Sequence, residues 1–487
     1  FAAIPALQTS GAAFTEWIGK GITPVYDPRN VPASQKQGVV FGMSMTEKTG
    51  GSDVRSNTTR AAPLSGRDAA QAGGAYSLIG HKWFTSAPMC DAFLTLAYST
   101  PRAGEHAAAE AGAPTSDGLS CFLVPRWLSD GQRNTGFRVV RLKDKLGDRS
   151  NASSEVEYDN AVGYLVGPPG RGVPTILEMV VHTRLDCALG SAGLMRQAVR
   201  AALHYTSQRR AFGAVLTDQP AMRAVLADLL VESGAAMVLS LGCARLFDDC
   251  ARQGSDGNTK LHPFRRLAVA LAKYYICKRS PGVVTEASEC IGGNGYVEEW
   301  DFPRWARQAP LNAIWEGSGN VIALDILRTL QKEPLALTAL LEEVATTASA
   351  HPRQAAAVAS VHAALKHSQE AIANPAFARF FVEQLSQLLI GHWLAVMCAS
   401  STLGVEEREW AQLVHAAWCA SRLPSVTSVQ GAASVFAATS GSLYGSWSPD
   451  TVADVVRRSA RSVANAREPL AHLIDLELAA GRRNAEQ

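Results

Sequence analysis

The chain has 487 residues, of which 47% are hydrophobic and 18% charged, and its formal net charge is +2. This composition excludes an intrinsically disordered protein and a strongly basic nucleic-acid coat, and the length is typical of about three domains. The nine cysteines are odd in number and none are spaced Cys-x-x-Cys, which argues against a disulfide framework or zinc ribbon and favours a reducing compartment.

Residues 1–37 are predicted to form a short helical stretch and then a proline-containing loop. From 38 to 167, short runs rich in β-branched and aromatic residues predict a domain of antiparallel strands. The predicted strands include 75–79, 93–98, 119–124 and 137–142. Two Ala/Gly/Pro-rich stretches, at about 61–74 and 101–117, are predicted to be surface loop insertions.

After Pro174 the pattern becomes helical. One very long helix is predicted over 175–210, and Gly213 is expected to end it. Further helices are predicted at about 219–252, 265–278, 280–291 and 319–331. An Ala- and Leu-rich helical block follows at about 334–480, interrupted by a Ser/Gly-rich stretch at 423–450. No apolar run predicts a membrane span, and no signal peptide is visible.

The first motif that can carry chemistry is Met-Ser-Met-Thr-Glu at 43–47, followed by Gly-Gly-Ser-Asp at 50–53. A strand that runs into such a turn exposes backbone N–H groups and a hydroxyl, which can bind a phosphate or a planar heterocycle. The second is His-Lys-Trp-Phe-Thr-Ser at 81–86, where Trp83 and Thr85 would share one face of a strand and wall an aromatic ring. For the first motif the alternative is an ordinary turn, and for the second it is that Trp83 is a residue of the domain core.

The third motif, Gln-Arg-Arg-Ala-Phe-Gly at 208–213, could clamp a pyrophosphate, or it could be a solvated helix end. The fourth is Gly-Gly-Asn-Gly at 292–295. The fifth, Ile-Trp-Glu-Gly-Ser-Gly-Asn at 314–320, places Glu316 between bulky apolar residues and a glycine, close to a helix start. That setting can desolvate a carboxylate and make it a general base; the alternative is a capping carboxylate.

In this order and spacing, the five motifs resemble those of the acyl-CoA dehydrogenase flavoprotein family over about residues 38–330. Within the family the chain looks most like the alkylation-response branch, the AidB-like proteins, on residues within 46–60, 144–153 and 314–320. The helical block after 331 also fits that branch.

The resemblance implies an α+β fold with an N-terminal helical domain, a middle antiparallel β-domain and a C-terminal four-helix bundle. Here Thr46 follows only 45 residues, so the first domain is expected to be mostly absent from this chain. The expected segments are a remnant and linker at 1–37, the β-domain at 38–167, the bundle at 168–331 and an extra helical domain at 332–487.

The resemblance also implies FAD between the β-domain and the bundle, and no metal. Residues Met45 and Thr46 would contact the flavin ring, Ser52 the pyrophosphate, and Trp83 with Thr85 would wall the ring. From a neighbouring subunit, Arg209 and Phe212 would reach the cofactor. Glu289 stands where many members have a glutamine donor. The implied cofactor-binding residues are Met45, Thr46, Gly51, Ser52, Trp83, Thr85, Arg209, Phe212, Glu289, Gly293, Ser318 and Asn320.

Glu316 matches the catalytic base of the family, which removes an α-proton from an acyl thioester while the β-hydride passes to the flavin. Its backbone N–H and a flavin ribityl hydroxyl would polarise the thioester carbonyl. Isovaleryl-type members carry a base on the long helix where this chain has Thr183, so Glu316 keeps the assignment. Arg184 would lie beside the active site as a second catalytic group, and the implied substrate contacts are Ser52, Arg184 and Trp315.

The implied partners are an acyl-CoA, an electron-transfer flavoprotein as acceptor, and further subunits of a homotetramer. The implied compartment is the cytoplasm in a bacterium or the mitochondrial matrix in a eukaryote. One alternative is an AidB-like flavoprotein of the DNA alkylation response with weak or no dehydrogenase activity. It would use the C-terminal region, where Arg457, Arg458, Arg461 and Arg467 cluster at helical spacing, but a solvated helix face is the alternative. Residues 331–487 carry 12 Lys/Arg against 14 Asp/Glu, so charge does not support DNA binding. An oxygen-using oxidase and a relative that has lost its cofactor are further alternatives.

Overall fold

The computed structural model describes residues 1–64, 71–99, 118–253, 260–366 and 375–423, and for 360–366 and 377 it describes the backbone alone. The chain divides into two compact units, Phe1–Thr183 and Arg184–Gln487, and each is described by itself. The predicted insertion at 101–117, the middle of the one at 61–74 and nearly all of the Ser/Gly-rich stretch lie outside the described residues.

The first unit begins with two short helices, α1 (Ala3–Gln8) and α2 (Thr15–Gly21), as residues 1–37 predict. Seven strands follow among the described residues of this unit. They are β1 (Phe41–Ser44), β2 (Arg60–Pro63), β3 (Ala75–Ser86), β4 (Ala92–Ser99), β5 (Leu119–Pro125), β6 (Phe137–Leu142) and β7 (Ser153–Val166). The start of the first predicted insertion is therefore wrong, since residues 61–63 belong to β2 and pair with β3.

Strands β4, β2, β3, β7 and β5 pair in a closed ring, with β1 added on β4 and β6 on β7. Most pairs are antiparallel, but β4 runs parallel to β1 and to β2. A parallel pair requires a crossover connection, and the spacing of apolar residues does not reveal one.

Both faces of β4 and β5 are covered, which explains their uninterrupted apolar sequences. On one face Leu94 and Leu123 belong to a core with Leu7 and Phe14 from the N-terminal segment. On the other face the alternate residues of these strands, such as Phe122, pack in a second core. Alternation across the pleat therefore sends successive side chains into two different cores.

The long helix α3 (Gly172–Gln208) ends five residues before Gly213, so the prediction that Gly213 ends it is wrong. A two-stranded hairpin follows, β8 (Arg210–Ala211) and β9 (Ala214–Val215), and its turn consists of Phe212 and Gly213. Both turn residues have positive φ, 51° and 79°, which is the backbone of a tight hairpin rather than of a helix end.

After the hairpin, the described part of the second unit continues with helices. They are α4 (Pro220–Gln253), α5 (Leu261–Glu289), α6 (Phe302–Gln308), α7 (Gly319–Lys332), α8 (Pro334–Ala345), α9 (Pro352–Lys366), α10 (Ala378–Ala399) and α11 (Val405–Arg422). The two helices predicted at 265–278 and 280–291 are one helix, α5, with Pro281 inside it. Proline usually ends a helix, but here burial of Lys273 to Cys277 and of Val283 and Val284 holds both halves in one core helix.

Two glycines of α4 allow the helices of the extra block to pack closely. A Cβ on Gly242 would lie 2.4 Å from the indole of Trp393 in α10, and one on Gly234 would lie 2.9 Å from Trp410 in α11. Helices α4 and α10 are long and apolar enough to cross a membrane, but 72% and 61% of their apolar windows are buried inside the protein. Core helices of this kind pass the same test, so the observation is weak support for a membrane span.

Candidate active site

Glu316 lies in a short loop before α7, whose N-cap is Ser318. Its side chain is half-buried and its backbone has φ +56°, in the left-handed region that glycine favours. For a residue with a Cβ this conformation costs about 1–2 kcal/mol. Contacts with the rest of the unit must therefore hold the loop in place.

Three consecutive carbonyls of this loop are each held by a cationic side chain. Lys273 Nζ donates to the carbonyl oxygen of Trp315 at 2.8 Å and to that of Gly317 at 2.5 Å. Arg184 Nε donates to the carbonyl oxygen of Glu316 at 3.3 Å. The same guanidinium forms an ion pair with Asp325 of α7 at 3.1 Å. Hydrogen bonds of charged donors are stronger than neutral ones, so these contacts restrain the loop.

A second set of hydrogen bonds fixes Trp315, the residue before the candidate base. Its indole Nε1 donates to Asn312 Oδ1 at 2.7 Å. The Asn312 amide in turn donates to Ser191 Oγ at 3.0 Å and to the carbonyl of Cys187 at 3.3 Å. The loop is thereby tied to α3, and the predicted residues Arg184, Trp315 and Glu316 are brought together.

Sequence reasoning did not identify Lys273, Asn312 or Asp325. Lys273 is 1% exposed in the middle of α5. Burial lowers the pKa of its ammonium group, and the nearby Glu316 acts in the opposite direction. The signal was present in the sequence, because Lys273 is the single charged residue of the apolar run at 267–277. A buried lysine needs hydrogen-bond partners, and here they are loop carbonyls.

The other predicted residues of this unit lie mostly at its surface. Arg209, Glu289, Gly293 and Asn320 are exposed, and Ser318 is half-buried. Phe212 is 97% exposed at the tip of the hairpin. A Cβ on Gly293 would meet no described atom within 4 Å apart from those of its neighbours in the chain. These positions are open to a ligand or to another subunit, and their cofactor roles stay predictions.

In the first unit, Met45 and Thr46 continue from β1 and lie beside Trp83. The backbone N–H of Trp83 donates to the Thr46 carbonyl at 2.7 Å. Gly51 packs over Thr46, since a Cβ there would lie 2.7 Å from the threonine hydroxyl oxygen. Ser52 is exposed next to it. Four predicted residues, Thr46, Gly51, Ser52 and Trp83, thus share one edge of the β-domain.

Trp83 and Thr85 do not follow the simple alternation expected of a strand. The register of β3 against β7 shifts between Lys82 and Thr85. As a result Lys82 and Thr85 are both buried, and Trp83 is half-buried. The hydroxyl of Thr85 shares a 2.6 Å hydrogen bond with Ser44 Oγ, and Lys143 Nζ lies 3.2 Å from the centroid of the Trp83 ring. A β-bulge re-aims side chains in this way.

Behind this edge lies a buried ion pair between Glu47 and Lys82, whose side chains are both 0% exposed and whose charged atoms are 2.9 Å apart. The Glu47 carboxylate also accepts hydrogen bonds from the backbone N–H and hydroxyl of Thr58 and of Thr59. Burial alone would raise the pKa of Glu47, but Lys82 and these donors lower it to about 2. The pair anchors the loop at 47–59, which carries Gly51 and Ser52.

The residues of the β-domain edge fit a flavin. They offer an indole ring, a backbone edge at Met45 and Thr46, and a glycine turn with an exposed hydroxyl. Buried Asn57 donates to the Met45 carbonyl at 3.3 Å, and its own Oδ1 has no partner within the described part of the chain. An unmatched buried acceptor of this kind is commonly satisfied by a bound heterocycle or water.

Sequence models of two domains of one family match this chain. The acyl-CoA dehydrogenase middle domain matches residues 42–161, and the acyl-CoA dehydrogenase C-terminal domain matches residues 170–331. Together they cover more than half of the chain.

The chain belongs to the acyl-CoA dehydrogenase family. The family prediction and the fold class are therefore confirmed. Members of the family bind FAD, so the cofactor prediction is confirmed at the level of the family.

Among its relatives, AidB of Escherichia coli (strain K12) is 46% identical over 334 residues, 68% of this chain and 56% of AidB. Acyl-CoA dehydrogenase family member 11 of Caenorhabditis elegans is 36% identical over 59% of this chain and 44% of its own length. The crystal structure of C. elegans ACDH-11 in complex with C11-CoA has a TM-score of 0.70 at 27% identity, over 91% of this chain and 76% of that one. The AidB-like assignment is thereby confirmed.

This family member spans about half the length of the curated relatives it matches. None of these similarities tests the roles of individual residues or the bounds of the four segments, so both stay predictions.

Proposed function

We propose that this protein is an FAD-dependent acyl-CoA dehydrogenase in which Glu316 is the general base. The observation that carries the proposal is the restrained loop around Glu316. A glutamate in a left-handed backbone, with its own carbonyl and both neighbouring ones held by Arg184 and Lys273, is a preorganised group. It lies within the part of the chain matched by the family's C-terminal domain.

In the proposed reaction, the Glu316 carboxylate takes the α-proton of the acyl thioester, and a carbon–carbon double bond forms as the β-hydride leaves. FAD, when bound, supplies the hydride acceptor. The backbone N–H of Glu316 donates to the thioester carbonyl and so makes the α-proton more acidic. Arg184 donates to the Glu316 carbonyl and forms an ion pair with Asp325. It thereby ties the loop that carries the base to helix α7.

Within the first unit, the proposed cofactor contacts lie at the edge of the β-domain. We assign the ring to the edge formed by Met45, Thr46 and Trp83, with Thr85 beside it. The turn of Gly51 and Ser52 supplies donors for phosphate. Ser318 and Asn320 at the start of α7 are assigned to the cofactor as well, because the N-terminus of a helix offers unpaired N–H groups.

An acyl-CoA is the proposed substrate class, and an electron-transfer flavoprotein is the proposed acceptor. The structure of the C. elegans relative in complex with C11-CoA supports a CoA thioester as ligand. Ser52 and Trp315 are the proposed further substrate contacts. We place the enzyme in the cytoplasm of a bacterium or in the mitochondrial matrix of a eukaryote.

Anaerobic titration of the FAD-loaded protein with short, branched and long acyl-CoAs tests the proposed activity. We expect the flavin absorbance to bleach with at least one of them. A yellow protein that no acyl-CoA bleaches would contradict the proposal. Hydrogen peroxide released in air at the rate of turnover would instead identify an oxidase, and a purified protein that retains no FAD would identify a relative without cofactor.

A role in the DNA alkylation response, with weak or no dehydrogenase activity, is the second candidate because the AidB relative is 46% identical. The arginine cluster at 457–467 lies outside the described residues. Electrophoretic mobility shifts of duplex DNA at low salt test this function. We expect none, because the chain carries almost balanced charge, and a retarded band that disappears with rising salt would overturn that expectation.

A further inference from the structure

Lys273 is a buried cation whose hydrogen bonds, within the part of the chain that the structure describes, go to the carbonyls of Trp315 and Gly317. It is 1% exposed, and within the described ranges it forms no ion pair with a carboxylate. Burial of this ammonium group costs free energy, which the two hydrogen bonds and the attraction of the nearby Glu316 carboxylate offset in part. The groups that it holds flank the candidate base on both sides.

The geometry of the peptide group gives this contact a consequence for catalysis. Across a planar trans peptide, the C=O of one residue and the N–H of the next point in opposite directions. No cis peptide occurs among the described residues, so the Trp315 carbonyl and the Glu316 N–H belong to one such unit. A group that fixes the direction of the Trp315 carbonyl therefore fixes the direction of the Glu316 N–H.

The cation also changes the strength of that donor. A hydrogen bond from a charged group polarises the carbonyl, and polarisation passes through the peptide to make its N–H a stronger donor. Arg184 holds the neighbouring carbonyl, that of Glu316, and so acts on the N–H of Gly317. Lys273 is the group that acts on the N–H of Glu316.

We propose that Lys273 is a positioning residue that aims and strengthens the Glu316 N–H as donor to the thioester carbonyl. This inference rests on the function proposed above. Lys273 touches neither substrate nor cofactor in this account, and it acts through the Trp315 peptide. Its second contact, with the Gly317 carbonyl, holds the far side of the left-handed turn and keeps the first contact in place.

The test is the carbonyl stretching frequency of a bound 2-enoyl-CoA that carries ¹³C at its thioester carbonyl. This ligand is the product class of the proposed reaction, so the oxidised protein holds it without turnover. Isotope-edited difference infrared spectra should show a lowered frequency in the wild-type protein, and most of this shift should be lost in Lys273→Met. Flavin reduction should slow about 10- to 100-fold in that variant, with little change in ligand affinity.

Lys260→Met is the matched control, because Lys260 starts the same helix and pairs with Glu342 at the surface. It should keep the full shift. Glu316→Gln should keep the shift as well, since its backbone N–H is retained, while an acyl-CoA should bleach its flavin at least 100-fold more slowly. If Lys273→Met does not fold, Lys273→Arg and Lys273→Gln replace it, and the shift should decrease from wild type to Arg to Gln.

A wild-type shift in every folded Lys273 variant would overturn the inference and leave the proposed function standing. Failure of the proposed function would instead be seen in the wild-type protein, as a flavin that no acyl-CoA bleaches. A wild-type protein that binds the enoyl-CoA without any shift would also overturn the inference, whatever the outcome of the bleaching experiment.

Discussion

Glu47 and Lys82 form an ion pair that is closed off from solvent, and the loop at 47–59 depends on it. Glu47→Gln would leave the Lys82 ammonium buried and unpaired, which costs about 3–5 kcal/mol. Because this loss of stability makes opening of the β-domain easier, we expect the backbone amides of β3 and β4 to exchange their hydrogens with solvent faster. The control is Glu16→Gln, because Glu16 is the exposed member of its pair with the half-buried Lys20, and a surface pair contributes less than about 1 kcal/mol. Equal effects of the two changes would contradict this account.

The lowered pKa of the Glu47 carboxyl determines how the stability of the β-domain should change in acid. The pKa of Glu47 is lowered from 4.5 to about 2 in the folded chain, so its stabilising contribution is present above pH 4.5. It should disappear as the pH falls from 4.5 towards 2. The difference in exchange protection between wild type and Glu47→Gln should shrink over that range, and a difference that is constant from pH 7 to 3 would contradict the assignment.

At the scale of residues, the sequence identified the candidate functional motifs better than the side chains that hold those motifs in place. Glu316 was recognisable because an aromatic-Glu-Gly loop precedes a helix. The apolar run around Lys273 indicates that it is buried but not what it binds, since its partners are carbonyls that lie 42 and 44 residues further along the chain. Thr85 was placed on the face of Trp83, but a bulge removed the alternation on which that placement relied.

Among the elements, α4 allows a clear test of packing. Gly242→Ala would drive a methyl group into the body of the Trp393 indole, whose ring atoms lie 2.4–2.8 Å from the new Cβ. Overpacking of this kind costs about 1–3 kcal/mol. Gly282→Ala in α5 is the matched control, because its Cβ would meet nothing within 4 Å and should stabilise the helix by up to about 1 kcal/mol. Calorimetric melting temperatures should move in opposite directions; a common direction would contradict the packing described here.

The hairpin after α3 allows a test of the predicted contact between subunits. Phe212 is 97% exposed at its tip, so Phe212→Ala removes almost no contact within the chain and should leave the melting temperature unchanged. If the ring reaches the cofactor of another subunit, the variant should lose FAD more readily and form fewer oligomers. Light scattering and flavin absorbance after gel filtration measure both. Unchanged values would contradict the predicted role of Phe212.

Elements with continuous apolar sequences were predicted well, because both of their faces are buried. Strands β4 and β5 lie within one residue of their predicted bounds at each end. Strand β7 was missed because polar residues such as Glu155, Glu157 and Asp159 interrupt it. Helix α5 was divided at Pro281, since local preference predicts a break that the buried core overrides.

For the whole molecule, the order of the motifs was more informative than any single one. Each motif had an ordinary structural alternative, yet five in succession indicated a family that two domain matches confirm. The contacts between subunits that we predict at the hairpin tip involve partner surfaces that local sequence patterns do not encode.

The most direct test of the account is rapid-mixing measurement of flavin bleaching by an acyl-CoA in wild type, Glu316→Gln and Glu286→Gln. Glu286 is an exposed glutamate of α5 and serves as the matched control. Loss of a general base slows a reaction by about 10²- to 10⁴-fold, so Glu316→Gln should bleach at least 100-fold more slowly while Glu286→Gln matches wild type. Bleaching of Glu316→Gln at the wild-type rate would show that Glu316 is not the base.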